Sequence, residues 1–258
     1  MEVLLKTEDE INLLRDANHL VGLTFSELGK HIKSGVTTLQ LDRIAGDFIR
    51  DNGAVPVLQK KACPFGEPLL ANIGIHIFND LSSGAYVGRS VLCEGDIVNV
   101  DCSLRLNDFY GMSTYSFCVG NVSERNLYCL DVSKEALTYG IEHTFAGKHL
   151  GDLGKAINSI CQSHGFHLYG KSLGFGIGMN LQESPKISCG SICGNRLLLK
   201  ESMCLHVKPQ LFFNKITVYD KLKGLCGKYT CQHPISLFSH TIVVRKEKSD
   251  ILSSFSEI

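Results

Sequence analysis

Apolar and polar positions follow a helical period through the first part of the chain. Ile11, Leu14, Ala17, Leu20, Val21, Phe25 and Leu28 recur at steps of three and four. This predicts one amphipathic helix over 8–31. Thr7-Glu8-Asp9-Glu10 opens it as a capping box, the Thr7 hydroxyl accepting a backbone N–H while Glu10 reaches back. Ser34-Gly35-Val36-Thr37-Thr38 breaks that segment and caps a second helix, which Leu41, Ile44, Ala45, Phe48 and Ile49 line and Asn52-Gly53 stops. The pattern then changes to strand-like stretches near 71–78 and 96–106. Asn107-Asp108 turns the latter into a strand near 113–119, a predicted hairpin. Residues 123–146 and 151–164 read as two more helices, and 167–247 as strand-like runs between Gly-, Ser- and Lys-rich turns. Helix-helix-strands therefore occurs twice. That order predicts an α+β architecture with two pseudo-equivalent halves around a curved, mostly antiparallel sheet and helices on one side. The polar stretch from Lys246 to Ile258 carries Ile251, Leu252 and Phe255, which are able to pack back on the body.

Composition narrows the class. The chain has 258 residues, 44% hydrophobic and 20% charged, which suits a globular chain with a sizeable core. No composition break divides it, so 1–258 reads as a single domain. Lys+Arg and Asp+Glu are both 26. No basic excess points to nucleic acid or an anionic membrane. No apolar run reaches the ~18 residues of a membrane helix, and the acidic N-terminal stretch is unlike a signal peptide. The expectation is a cytoplasmic monomer. The 11 cysteines are odd in number and scattered, which favours buried free thiols over a disulfide framework. Cys189-x3-Cys193 and Cys226-x4-Cys231 fit a zinc site only loosely. His233 is too close to Cys231 for the usual pattern.

Three stretches carry candidate chemistry: Gly95-Asp96-Ile97-Val98-Asn99-Val100-Asp101, Gly174-Phe175-Gly176-Ile177-Gly178, and Phe238-Ser239-His240-Thr241-Ile242-Val243-Val244. In this order and at this spacing they resemble type I methionine aminopeptidases, and the resemblance runs from about Lys6 to the end of the chain. It implies the pita-bread fold. It also implies a site of two divalent ions, ~3.5–4 Å apart, that generate hydroxide near neutral pH. Such ions require oxygen and imidazole ligands.

At the positions matching the family's ligands, only Asp101 keeps a ligand side chain. The second aspartate is matched by Met112, the histidine of Gly-His-Gly by Phe175, the glutamate before proline by Lys208, and the last glutamate by Ser239. The histidine that contacts the scissile peptide is matched by Gln182, beside Leu181. A further histidine falls at Ser83 or Gly84, with His76 out of register. The pocket tryptophan falls near Leu225. Residues 57–72 carry an apparent insertion. What the resemblance implies is thus a retained fold with no catalytic or metal-binding residues, no bound cofactor, and a vestigial groove at Ser83, Leu181, Gln182 and Leu225. Lys208 brings a positive charge to Asp101, while Met112 and Phe175 bring volume. The expected function is a catalytically inactive, methionine-aminopeptidase-like module for a peptide or protein N-terminus. The alternative is an active metal-dependent methionine aminopeptidase. A metal-independent enzyme using Cys102, Ser239 or Lys208 is a third reading, weakened because alternation turns Cys102 away from Asp101.

Overall fold

The predicted capping box at Thr7 forms, and the cap predicted for the second helix is a capping box as well. In the computed structural model, Thr7 and Glu10 cap α1 (Glu8–Gly29), and Thr37 and Gln40 cap α2 (Thr38–Asp51). The structure describes residues 3–57, 71–78, 83–85, 90–168, 172–188, 196–209, 211–213, 238–253 and Phe255. The first sheet contains β1 (Val55–Pro56), β2 (Gly74–Phe78), β3 (Ser83–Ala85), β4 (Ile97–Leu106) and β5 (Phe109–Cys118). There β4 carries β5 on one side and β2 with β1 along the other. Next come α3 (Glu124–Glu142), α4 (Leu150–Ser163), β6 (Phe166–Leu168), β7 (Ser172–Gly176), β8 (Glu183–Ser188), β9 (Cys204–Val207), β10 (Leu211–Phe213), β11 (His240–Val243) and β12 (Asp250–Ile251). The second sheet has the order β12-β11-β9-β7-β8, and β10 pairs with β6. Every pairing among these strands is antiparallel.

Asn107 and Asp108 take positive φ, 48° and 68°, which makes the two-residue turn expected of this pair. The tight turn starts β5 at Phe109, earlier than the 113 expected from sequence. The two sheets meet where the Ser239 N–H donates to the Thr114 carbonyl at 3.1 Å, a bridge between β5 and the entry to β11.

Alternation along the strands sorts core from site. Val98, Val100, Cys102 and Leu104 pack with residues of α1 and α2 in one apolar cluster. Leu205, Val207 and Ile242 do the same with α3 and α4 in another. The intervening residues Asn99, Asp101, Ser103, His206 and Thr241 point to the other face. A third cluster joins the first turns of α1, through Ile11 and Leu14, to Phe109, Met112, Ile177, Cys204 and Val243. This cluster brings the N-terminal turns of α1 to the neighbourhood of Met112.

The C-terminal stretch packs back through Leu252 and Phe255, but Ile251 is 42% exposed. Pairing of β12 with β11 directs this alternate position outward. Cys102, Cys129, Cys161 and Cys204 are buried free thiols, as expected, whereas Cys93 and Cys118 are exposed. The cysteine pairs 189/193 and 226/231 and most of the 57–72 insertion lie outside the described residues. Among those residues, no helix is long and apolar enough to cross a membrane.

One glycine fixes how closely α1 lies on β5. A Cβ on Gly111 would sit 2.3 Å from the Ala17 carbonyl oxygen, and backbone cannot swing aside as a side chain can. Gly111→Ala is expected to destabilise the protein by about 1–3 kcal/mol, as overpacking does. Urea unfolding checks this; an unchanged midpoint would show that α1 can slide on β5.

Candidate functional site

Strand register assembles the site from distant parts of the chain. Asp101 on β4 lies opposite Thr114 on β5, and Thr114 bridges to Ser239. His240 opposes Val207, so extending that register by one residue sets Ser239 opposite Lys208. Asp101, Thr114, Ser239 and Lys208 therefore form one row across the junction of the two sheets. A second row lies one pleat away. Ser103 opposes Met112; Thr241 opposes His206, which opposes Phe175; and the Thr241 hydroxyl donates to the Met112 carbonyl at 3.0 Å. All five positions singled out from the sequence, Asp101, Met112, Phe175, Lys208 and Ser239, thus fall in two adjacent rows.

At the centre is an ion pair. The Lys208 ammonium donates to Asp101 Oδ1, and the Thr114 hydroxyl donates to the same oxygen. The Asp101 side chain is 7% exposed and that of Lys208 19%. Burial alone would push the Asp101 carboxyl up. The charge and hydrogen bond of Lys208, the Thr114 hydroxyl and nearby His76 override it and hold the group at about 2. The Lys208 N–H donates to the Leu173 carbonyl at 2.6 Å, which anchors the backbone of this residue beside β7. Close approach is built in there too. Gly174 has φ 148°, and a Cβ on it would lie 1.9 Å from the His206 carbonyl oxygen.

His206 is fully buried, its Nδ1 3.2 Å from the Thr241 hydroxyl, its ring tilted on Phe175 at 5.6 Å. Burial first, and then the Lys208 charge, push its pKa down to about 3. Its Nε2 and the Ser239 hydroxyl have no hydrogen-bond partner among the described residues. Met112 is 8% exposed and Phe175 only partly buried; both belong to the third apolar cluster. The Asn18 carboxamide, held to the Leu14 carbonyl at 2.8 Å, accepts the Met112 N–H at 3.2 Å and ties β5 to α1.

Sequence reasoning missed three members of this site. His76, set aside as out of register, places Nε2 3.8 Å from Asp101 Oδ2. It opposes Asn99, two residues from Asp101, so it shares Asp101's face. Ser83 lies on β3, opposite Phe78, with β2 between it and β4. The chain between β2 and β4 thus brings His76, rather than Ser83, beside Asp101. Thr114 was visible in principle, since period two puts it on the face of Met112. Asn18 gave no signal beyond interrupting an apolar stripe.

Leu181 packs against the third cluster and Gln182 is exposed. Their turn is held by a buried Lys6–Glu183 ion pair at 2.8 Å, with Glu183 also accepting the Asn180 N–H at 3.0 Å. Leu225 lies outside the described residues. Cys102 belongs to the helix-side cluster, and burial first, then the Asp101 charge, push its thiol up to about 12. It cannot serve this site as a nucleophile.

The donor set does not fit a pair of divalent ions. It offers one carboxylate, already neutralised by an ammonium, with imidazoles on either side. Among the described residues, no three His, Cys, Asp or Glu side chains group closely enough to hold a metal.

A model of metallopeptidase family M24 matches residues 12–246. Methionine aminopeptidase 1 of Bacillus subtilis (strain 168) is 30% identical over 97% of this chain and 99% of its own length. The crystal structure of methionine aminopeptidase from Rickettsia prowazekii superposes with a TM-score of 0.86 at 28% identity, covering 98% of this chain and all of that one. A Xaa-Pro dipeptidase from Bacillus anthracis matches at a TM-score of 0.76 and 19% identity, over 97% of this chain and 62% of its own, a likeness of fold alone. The shared architecture is the pita-bread fold expected from the sequence.

Breaking the central pair strands a buried charge. Asp101→Ala or Lys208→Ala is expected to cost roughly 3–5 kcal/mol, and the double change Asp101→Asn with Lys208→Met less than either; thermal melts check the order. Single variants as stable as the parent would show that the pair does not organise the site.

Acid should act through the imidazoles. His206 is held at about 3 and His240, by burial, at about 4, both below 6.5, so the unfolded chain binds their protons first. Their full contribution is present above pH 6.5 and is lost as pH falls towards 3. His206→Gln should flatten that decline in unfolding free energy; an unchanged slope would contradict it.

Proposed function

This chain belongs to metallopeptidase family M24, among the methionine aminopeptidases, and from that premise we propose a methionine-aminopeptidase-like protein that does not hydrolyse peptides. It acts in the cytoplasm as a monomeric module that holds a peptide or protein N-terminus. The observation that carries this reading is the Lys208 ammonium bonded to Asp101, the one matching position at which the resemblance implies a retained ligand side chain. An ammonium supplies one charge and three N–H donors. Unlike paired metal ions, it does not lower the pKa of a bound water to near neutrality. Met112, Phe175 and Ser239, at the other ligand positions implied by the resemblance, bring two apolar groups and a neutral hydroxyl. The row stays ordered, and the Lys6–Glu183 pair keeps the Leu181-Gln182 turn in place for a bound segment.

A second reading has two observations in its favour. Identity of 30% over nearly full length to a methionine aminopeptidase, with His76 beside Asp101, would suit an enzyme with a rearranged ligand set. The assay that separates the readings is release of methionine from short Met-initiated peptides, with cobalt, manganese, iron or zinc added. We expect no release above the protein-free control; turnover abolished by chelation would establish the second reading.

A further inference from the structure

A cavity of about 290 Å³ lies on the helix side of the strands, on the face opposite the Asp101 row. Tyr115 and His240, which line it, follow Thr114 and Ser239 by one residue, and alternation turns them to the opposite face. Its walls are flat and aromatic. The Tyr115 ring meets Phe238 edge-on at 5.3 Å and Phe255 at 5.0 Å. His240 stacks on Phe255 at 4.5 Å, and its Nδ1 is 2.8 Å from the Ser253 hydroxyl.

Helix α3 supplies the mouth through the exposed residues Lys134 and Thr138. The Lys134 ammonium stands 4.9 Å from the centroid of Phe238 and 5.9 Å from that of Tyr115. Among the described residues, no carboxylate is in salt-bridge contact with it. An ammonium held over ring faces is positioned by cation–π attraction and keeps its N–H donors for an incoming anion. His240, which burial holds at about 4, is neutral at physiological pH. The cavity therefore combines apolar aromatic walls with a single lysine ammonium at the rim. Its size is near the lower end of small-molecule sites, roughly 300–1,000 Å³.

We propose that this cavity binds a small aromatic carboxylate, with the ring among Tyr115, Phe238 and Phe255 and the carboxylate on Lys134 and the Thr138 hydroxyl. The assignment uses no residue of the Asp101 row, so it stands or falls independently of the proposed loss of hydrolysis. Phe255 comes from the C-terminal stretch, so an occupied cavity also fastens that stretch to the body.

The test is calorimetric titration and ligand-observed NMR with benzoate and indole-3-acetate as probes, each against its uncharged amide. The expected result is one saturable site for at least one acid, with affinity about tenfold lower for its amide and for Lys134→Met, as loss of a charged hydrogen bond requires. Thr138→Trp, which fills the mouth, should abolish binding. Both substitutions are at exposed helix positions, and melting curves verify that the variants fold. The proposal is overturned if neither acid binds saturably, if acid and amide bind equally, or if Lys134→Met and Thr138→Trp bind like the parent.

Discussion

The hydrogen-bonded ion pair between Asp101 and Lys208 is the interaction on which the site depends. Its partners come from different sheets, so it exists only because β5 and the entry to β11 meet at Thr114 and Ser239. Two charges removed from water are costly unless each is paired and its remaining polar valences are filled. Thr114 does this for the carboxylate, His76 adds a nearby imidazole, and the Leu173 carbonyl fixes the lysine backbone. The surrounding groups are then constrained. His206 stays neutral because it is buried beside that ammonium. Met112 and Phe175 fill the adjoining row with apolar bulk.

The same interaction carries the functional reading. A two-metal hydrolase needs several anionic oxygens to hold two dications and a hydroxide together. Here one carboxylate meets one ammonium, so the local charge is balanced by side chains. The aromatic cavity on the opposite face, with its single lysine, adds a second place where small-molecule chemistry would act on the same scaffold.

Much of the fold was legible because its signals are local. Capping boxes at Thr7 and Thr37 and the stripes from Ile11 to Leu28 and Leu41 to Ile49 fix α1 and α2 without tertiary information. Asn107-Asp108 identified the hairpin, though not how tight a turn it makes. The position of Asp101 against Lys208 was readable only through resemblance, since nothing in either local sequence points to the other. His76 was misjudged because counting back from Asp101 assumes a fixed loop length, whereas strand pairing sets contact and the intervening chain absorbs the difference. Ile251 was misjudged because an apolar residue on a paired edge strand can still face outward. The aromatic cavity was invisible to sequence reading. It needs β5, α3, the entry to β11 and the C-terminal stretch to meet, and none contributes more than three residues.

Metal binding by the purified protein tests the central claim most directly. Metal-stripped parent protein would be titrated with Co²⁺, following both heat and the visible d–d absorbance, with Lys208→Glu alongside as a variant that returns a carboxylate to the row. The account predicts no saturable Co²⁺ binding and no d–d band in the parent, because the ammonium already neutralises Asp101. One or more equivalents of Co²⁺ bound tightly by the parent, with a d–d band lost in Asp101→Asn, would contradict it.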